Sequence, residues 1–189
     1  TLLDIGASTG GFTDAALQNG AKMSYALDVG YNQLAWKIRQ DPRVVVMERV
    51  NFRYAKPEDF TLGIPEVAVI DVSFISLKLM LPPLHAILKE EGEVIALIKP
   101  QFEAGREAVG KNGIVRDPQT HQKVLEDILS FAAQGGYDVL ELSYSPITGG
   151  EGNIEFLAHL MKVPESGTIN SAINMAEVVS NAHEQFDHK

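Results

Sequence analysis

Two ionisable residues close runs that are otherwise apolar. Asp71 lies at the end of the run Val67–Val72, in VAVIDVSF, and Lys99 follows Glu93–Ile98, in EVIALIKP. A charge at the end of a buried strand is costly unless an opposite charge stands beside it. A lysine beside carboxylates has its proton affinity tuned by burial and by charge together. Glu155, in the run Glu151-Gly152-Asn153-Ile154-Glu155-Phe156, is a third candidate. A Lys–Asp–Glu cluster of this kind can take or steer the proton of an attacking hydroxyl. The plainer alternative is an ion pair that only caps the edge of a sheet.

A second constellation opens the chain. Asp4-Ile5-Gly6-Ala7-Ser8-Thr9-Gly10-Gly11-Phe12 reads as a strand, a glycine-rich turn and a helix start. That geometry sets backbone N–H groups and a helix dipole beside a ligand. The spacing G-x-x-x-G-G is not the dinucleotide pattern G-x-G-x-x-G, and no Lys-Ser or Lys-Thr follows as a P-loop requires. A loop of this form suits a ligand without a pyrophosphate. Asp28, at the end of the next apolar run, is placed to accept both hydroxyls of an adenosine ribose. Together these features point to S-adenosylmethionine (SAM) rather than a nicotinamide cofactor. With SAM, the Lys–Asp–Glu cluster fits methyl transfer to a sugar hydroxyl. Methylation of pyrimidine carbon generally needs a cysteine nucleophile, and the chain has no cysteine. Amino-group methylation commonly uses an Asn/Asp-Pro-Pro-aromatic turn, where this chain has Asp71-Val72-Ser73-Phe74.

These residues must be carried by elements that bring their ends together. Apolar runs at 2–5, 23–28, 44–47, 67–72, 93–98, 137–145 and 154–161 predict seven strands. Helical patterns between them, at 12–19, 32–40, 75–88 and 121–134, make βα units feeding a doubly wound, mostly parallel sheet. The short link between the last two strands predicts an antiparallel last strand. Pro82-Pro83 is expected to kink or split its helix. Residues 99–117 read as a long loop beside Lys99, expected to be mobile without substrate and to close over it. Residues 1–163 form one domain in this reading. Residues 164–189 form a polar, helical tail with a weak stripe of Ile169, Ile173, Ala176 and Val179.

The chain has 189 residues, 45% hydrophobic and 22% charged, enough for one compact core and too apolar for disorder. Absence of cysteine leans towards a reducing cytoplasm. Sixteen basic against 25 acidic residues give −9, so the bulk surface is no evident nucleic-acid binder. No apolar run approaches the roughly 18 residues of a membrane span, and no signal peptide is visible. The five histidines, His85, His121, His159, His183 and His188, lack metal-ligand spacing, so no metal is expected. Trp36 reads as a packing residue, whereas Phe102 is balanced between packing and stacking on a base. The abrupt start, Thr1 running straight into a strand, suggests that an N-terminal part has been removed.

DIGASTGGFTD, ALDVGYNQLAWKIR, DVSFISL, IKPQFEAGRE, GKNGIVRDP and SPITGGEGNIEF follow in order over residues 1–162. They closely resemble the TlyA-type, hemolysin A-like members of the FtsJ-like ribose 2′-O-methyltransferases. The resemblance implies an α/β, Rossmann-like SAM-dependent methyltransferase fold behind an N-terminal S4-type RNA-binding domain. It also implies methylation of a cytidine ribose in ribosomal RNA, with rRNA or a ribosomal subunit as partner, in the cytoplasm and away from membranes. Of the family's Lys-Asp-Lys-Glu set, Asp71, Lys99 and Glu155 match the last three members, and the first lysine would precede Thr1. The implied cofactor residues are Asp4, Gly6, Ala7, Ser8, Gly10, Asp28, Val29, Asn51 and Asp71, with Asn51 near the adenine. An S4 domain would carry much of the basic surface, which accounts for the −9. Arg39, Arg49, Arg53, Lys78, Arg106, Lys111 and Arg116 are candidates for a local RNA path. The alternatives are a non-catalytic SAM- and RNA-binding module for ribosome assembly, and a cytolytic protein that the hemolysin name suggests. The second has no apolar span or signal behind it.

Overall fold

The computed structural model describes residues 1–186; Asp187, His188 and Lys189, at the end of the expected tail, lie outside the described residues. The strands are β1 (Leu2–Ile5), β2 (Ser24–Leu27), β3 (Val44–Met47), β4 (Val67–Ile70), β5 (Glu93–Ile98), β6 (Tyr137–Tyr144) and β7 (Phe156–Lys162). The helices are α1 (Gly11–Gln18), α2 (Trp36–Arg39), α3 (Leu81–Ile87), α4 (Pro100–Glu103), α5 (Pro118–Gln134) and α6 (Met175–Phe186). One seven-stranded sheet runs in the order β3-β2-β1-β4-β5-β7-β6. Strands β3 to β5 are parallel, and β7 inserts antiparallel between β5 and β6. This is the expected doubly wound, mixed α/β sheet.

Short strands buried on both sides suffice because helices cover the faces. Alternate residues of the central strands, such as Leu3, Ile5, Tyr25, Leu27, Ala68 and Ile70, feed the main core with α3, α5 and α6. The opposite side holds a smaller cluster of Ala7, Ala26, Leu34 and Ile38. Helix α6 belongs to the main core through Val179 and Ala182. Ile169 and Ile173 also pack on that core, but from the approach to α6, where Ile169 bridges to Val139, so the expected stripe is only partly helical.

Three expected elements take a different form. The second helix shrinks to α2, because residues 31–35 are bent and irregular, with Asn32 at φ 58°. Pro82 and Pro83 start α3 instead of kinking it: they occupy its first turn, where no N–H is needed, after a 3-10 turn over Leu77–Leu79. The stretch from Lys99 to Asp117 is not structureless. It holds α4 and two 3-10 turns, and α5 begins at its end with Asp117 as cap, accepting from the Gln119 N–H at 3.0 Å. Asn153 staples this stretch down, donating to the Gly113 carbonyl at 2.9 Å and accepting from the Val115 N–H at 3.0 Å.

Candidate active site

Consecutive strands depart in opposite directions on either side of the β1–β4 pair, and the crevice at their carboxyl ends is where such sheets bind ligands. Gly6, Asp28 and Asp71 each directly follow a strand there. A cleft of about 450 Å³, a size suited to a small ligand, is lined by Gly6, Ser8, Asp28, Val29, Asn51 and Asp71 between apolar walls of Leu27, Phe52, Ile75 and Met80. Backbone holds the Asp28 carboxylate on both sides: Oδ2 accepts the Ser8 N–H at 2.7 Å and Oδ1 the Gly30 N–H at 2.9 Å. Each oxygen keeps a further lone pair. Gly6 has φ 82°, and a Cβ there would stand 2.0 Å from the Asp71 carbonyl oxygen. Glycine is therefore demanded by the approach of one strand end to the next, whatever the cleft holds. Asn51 lines the cleft and caps a 3-10 turn by accepting from the Arg53 N–H at 3.1 Å.

Asp4, Ala7 and Gly10 do not line this cleft. Ala7 lies in the small core, and Gly10 caps the start of α1. Asp4 is 0% exposed beneath α1, where its Oδ2 accepts the Thr13 hydroxyl at 2.8 Å. Its Oδ1 is buried without a hydrogen-bond partner among the described residues. Burial pushes its carboxyl up to about 6, against the Thr13 bonds.

A second cavity of about 810 Å³ adjoins the first and shares Asp71, Ser73 and Phe74 as a common wall. Lys99 and Glu155 line it, so the three expected ionisable residues do converge. Lys99 Nζ donates to Asp71 Oδ1 at 2.5 Å and to the Ser73 hydroxyl at 3.3 Å. Glu155 is 7% exposed and accepts at Oε2 from the Gln101 amide at 2.8 Å. Burial raises the Glu155 carboxyl above its usual range, opposed by the Gln101 bond and the Lys99 charge and reinforced by the Asp71 charge. Gly149 makes room for this carboxylate: a Cβ there would stand 2.0 Å from Glu155 Oε2.

Phe74 was not expected in the site. It is 89% exposed at φ 64°, a conformation that bulky residues rarely adopt, and its ring lies 4.8 Å from that of Phe102 at 52°. The only signal in the sequence is an aromatic residue three positions beyond the strand-end Asp71. Trp36, read as a packing residue, is instead 69% exposed at the start of α2. Among the basic candidates, Arg39 pairs with Glu48, Lys78 with Asp127, and Arg49 stacks on Tyr31. Arg53 lies 5.6 Å from the Tyr54 ring centroid, while Arg106, Lys111 and Arg116 are exposed on the segment beyond Lys99. His85 contacts the Val163 carbonyl, His159 meets Glu93, and His121 pairs with His183 at 2.7 Å; His188 lies outside the described residues. Among the described residues no group of three or more His, Cys, Asp or Glu side chains could hold a metal ion, and no helix is long and apolar enough to cross a membrane.

Residues 1–162 match the family of FtsJ-like methyltransferases. The chain belongs to the FtsJ-like methyltransferase family. Its whole length is 62% identical to YqxC of Bacillus subtilis, a protein named as a candidate rRNA methyltransferase, and spans 68% of that protein. Over 84% of the chain it is 44% identical to TlyA of Mycobacterium tuberculosis, a 16S/23S rRNA (cytidine-2′-O)-methyltransferase, of which it spans 59%. A solved structure from Streptococcus thermophilus, described as a candidate hemolysin, matches 99% of this chain and 67% of its own at 59% identity and TM-score 0.95. The chain thus spans about two thirds or less of these proteins. The two adjoining cavities lie side by side at the carboxyl ends of β1, β4 and β5.

Proposed function

We propose that residues 1–163 are the methyltransferase domain of a SAM-dependent rRNA ribose 2′-O-methyltransferase, with cytidine the methylated nucleotide and residues 164–189 a C-terminal addition. The observation that carries this reading is the Lys99–Asp71 pair, 2.5 Å apart, with Asp71 on the wall shared by the two cavities and Lys99 and Glu155 both lining the second. When bound, SAM supplies an electrophilic methyl group on a sulfonium. Asp28 accepts the hydroxyls of its ribose, while Gly6, Ser8, Val29 and Asn51 line its cleft and Asp4, Ala7 and Gly10 support the loop from below. Lys99, held by Asp71 and Ser73, orients the 2′ oxygen towards the wall, and the Lys99–Asp71–Glu155 cluster takes up the proton that the hydroxyl releases. Exposed Phe74 and its neighbour Phe102 offer an aromatic face for the base. Arg106, Lys111 and Arg116 line the RNA path. An rRNA or ribosomal-subunit substrate places the protein in the cytoplasm.

Mapping 2′-O-methyl groups in ribosomal RNA incubated with the protein and SAM tests the proposal. A new cytidine 2′-O-methyl that disappears with Lys99→Ala is the expected result. Full transfer by Lys99→Ala, or methyl groups only on bases, would overturn it.

A further inference from the structure

We propose that α4 is a positioning clamp: Glu103 anchors this single turn to the segment behind Asp71, and Gln101, so fixed, aims the Glu155 carboxylate into the cavity it shares with Lys99. The inference deepens the reading above and rests on it for the roles of Lys99 and Glu155. Helix α4 follows Lys99 directly, so whatever holds the helix also holds the lysine's backbone. Glu103 Oε2 accepts the Ser76 hydroxyl at 2.6 Å, and Oε1 accepts the Leu77 N–H at 2.9 Å. Ser76 in turn accepts the Lys78 N–H at 3.1 Å, so the carboxylate and the hydroxyl together cap the 3-10 turn that follows Asp71–Phe74. Between the two polar residues, Phe102 lies against Phe74.

Gln101 extends from the same turn. Its amide donates to Glu155 Oε2 at 2.8 Å, while its Oε1 is buried without a hydrogen-bond partner among the described residues. The bond to Glu155 is therefore what sets the direction of the amide. Gly149 stands tight against the same oxygen, where a Cβ would lie 2.0 Å from Oε2, so the carboxylate has little room to turn away. Three consecutive residues of α4 thus hold the loops after β4 and before β7, the two segments that carry Asp71 and Glu155. Residues that merely pack would alter stability and leave the proton affinity of Glu155 alone.

Carbon-13 NMR titration of glutamate carboxyls in the chain tests this without RNA or SAM, with the Glu155 signal assigned by its loss in Glu155→Gln. Gln101→Leu should raise the Glu155 midpoint by about one to two pH units, the equivalent of one hydrogen bond to the charged form. Glu103→Ala should raise it in the same direction. Glu103→Gln should restore it, because its amide can accept from the Leu77 N–H and donate to Ser76. An unmoved midpoint in Gln101→Leu overturns the clamp, as does Glu103→Gln behaving like Glu103→Ala; if Glu103→Ala does not fold, Gln101→Leu decides alone. In methyl transfer, Gln101→Leu should lower kcat about tenfold with KM for SAM unchanged, less than the hundredfold or more that a proton-transfer group contributes. Full transfer by Lys99→Ala would remove the catalytic reading, whereas a null Gln101→Leu titration removes only the clamp.

Discussion

Asp4 and Gly6 lie two positions apart beneath the same loop, and each makes a demand on stability that the cofactor reading alone does not reveal. Unfolded, Asp4 releases its proton near 3.8; folded, it holds the proton until about 6. The folded state binds more protons between these values, so stability is full below about 4 and is lost as pH rises through 6. At neutral pH the ionised group opposes folding by about 3 kcal/mol. Asp4→Asn removes that titration. Urea unfolding from pH 4 to 7 should therefore show the variant gaining on the wild type by up to about 3 kcal/mol across this interval. A pH-independent difference would mean that Asp4 does not titrate there. Gly6→Ala acts in the other direction. The added methyl meets the Asp71 carbonyl, and alanine resists the positive φ, so a loss of about 2–4 kcal/mol is expected in the same unfolding assay. A change below about 0.5 kcal/mol would show that the loop can shift away.

At the scale of elements, apolar strands made the site legible and local turns hid part of it. Asp28, Asp71 and Lys99 could be placed because each follows a run of buried apolar residues, and parallel strands end on one edge. Asp4 lies within such a strand, and there its side chain turns to Thr13 of α1 and stays out of the cleft lining. What failed was structure fixed from outside. The segment 99–117 owes its short turns to Glu103 and Asn153, whose partners lie 26 to 40 positions away. Phe74 is held outward by a backbone conformation no propensity suggests. The proline pair shows the converse, where position within a helix decides. Pro82→Ala should change stability by less than about 1 kcal/mol, since the first turn needs no N–H and only unfolded-chain entropy is lost. Leu84→Ala, two positions on and fully buried, should cost about 2–5 kcal/mol. Comparable values for the two would place the prolines deeper in α3.

For the molecule as a whole, the sheet order separates two tasks. Strands β1 and β2 hold the cleft of Gly6 and Asp28, whereas β5 and β7 bring Lys99 and Glu155 to the neighbouring cavity, and among the described residues only the loop after β4 lines both. Antiparallel β7 is what makes this possible, because its amino-terminal end lies beside the carboxyl end of β5 and delivers Glu155 to the same edge. Cofactor grip and proton handling should then be separable by mutation. A ligand that binds only the folded chain adds about 2.7 kcal/mol at a hundredfold excess over its Kd. For a chain of this size that is a rise in Tm of about 5–10 °C. SAM should produce such a rise in the wild type and in Lys99→Ala, and Asp28→Ala should abolish it, all read by thermal melting with and without SAM. Equal loss in Lys99→Ala and Asp28→Ala would mean that the two cavities form one site. An unchanged rise in Asp28→Ala would place the ribose elsewhere, because among the described residues no other carboxylate in the cleft has both oxygens fixed by backbone N–H groups.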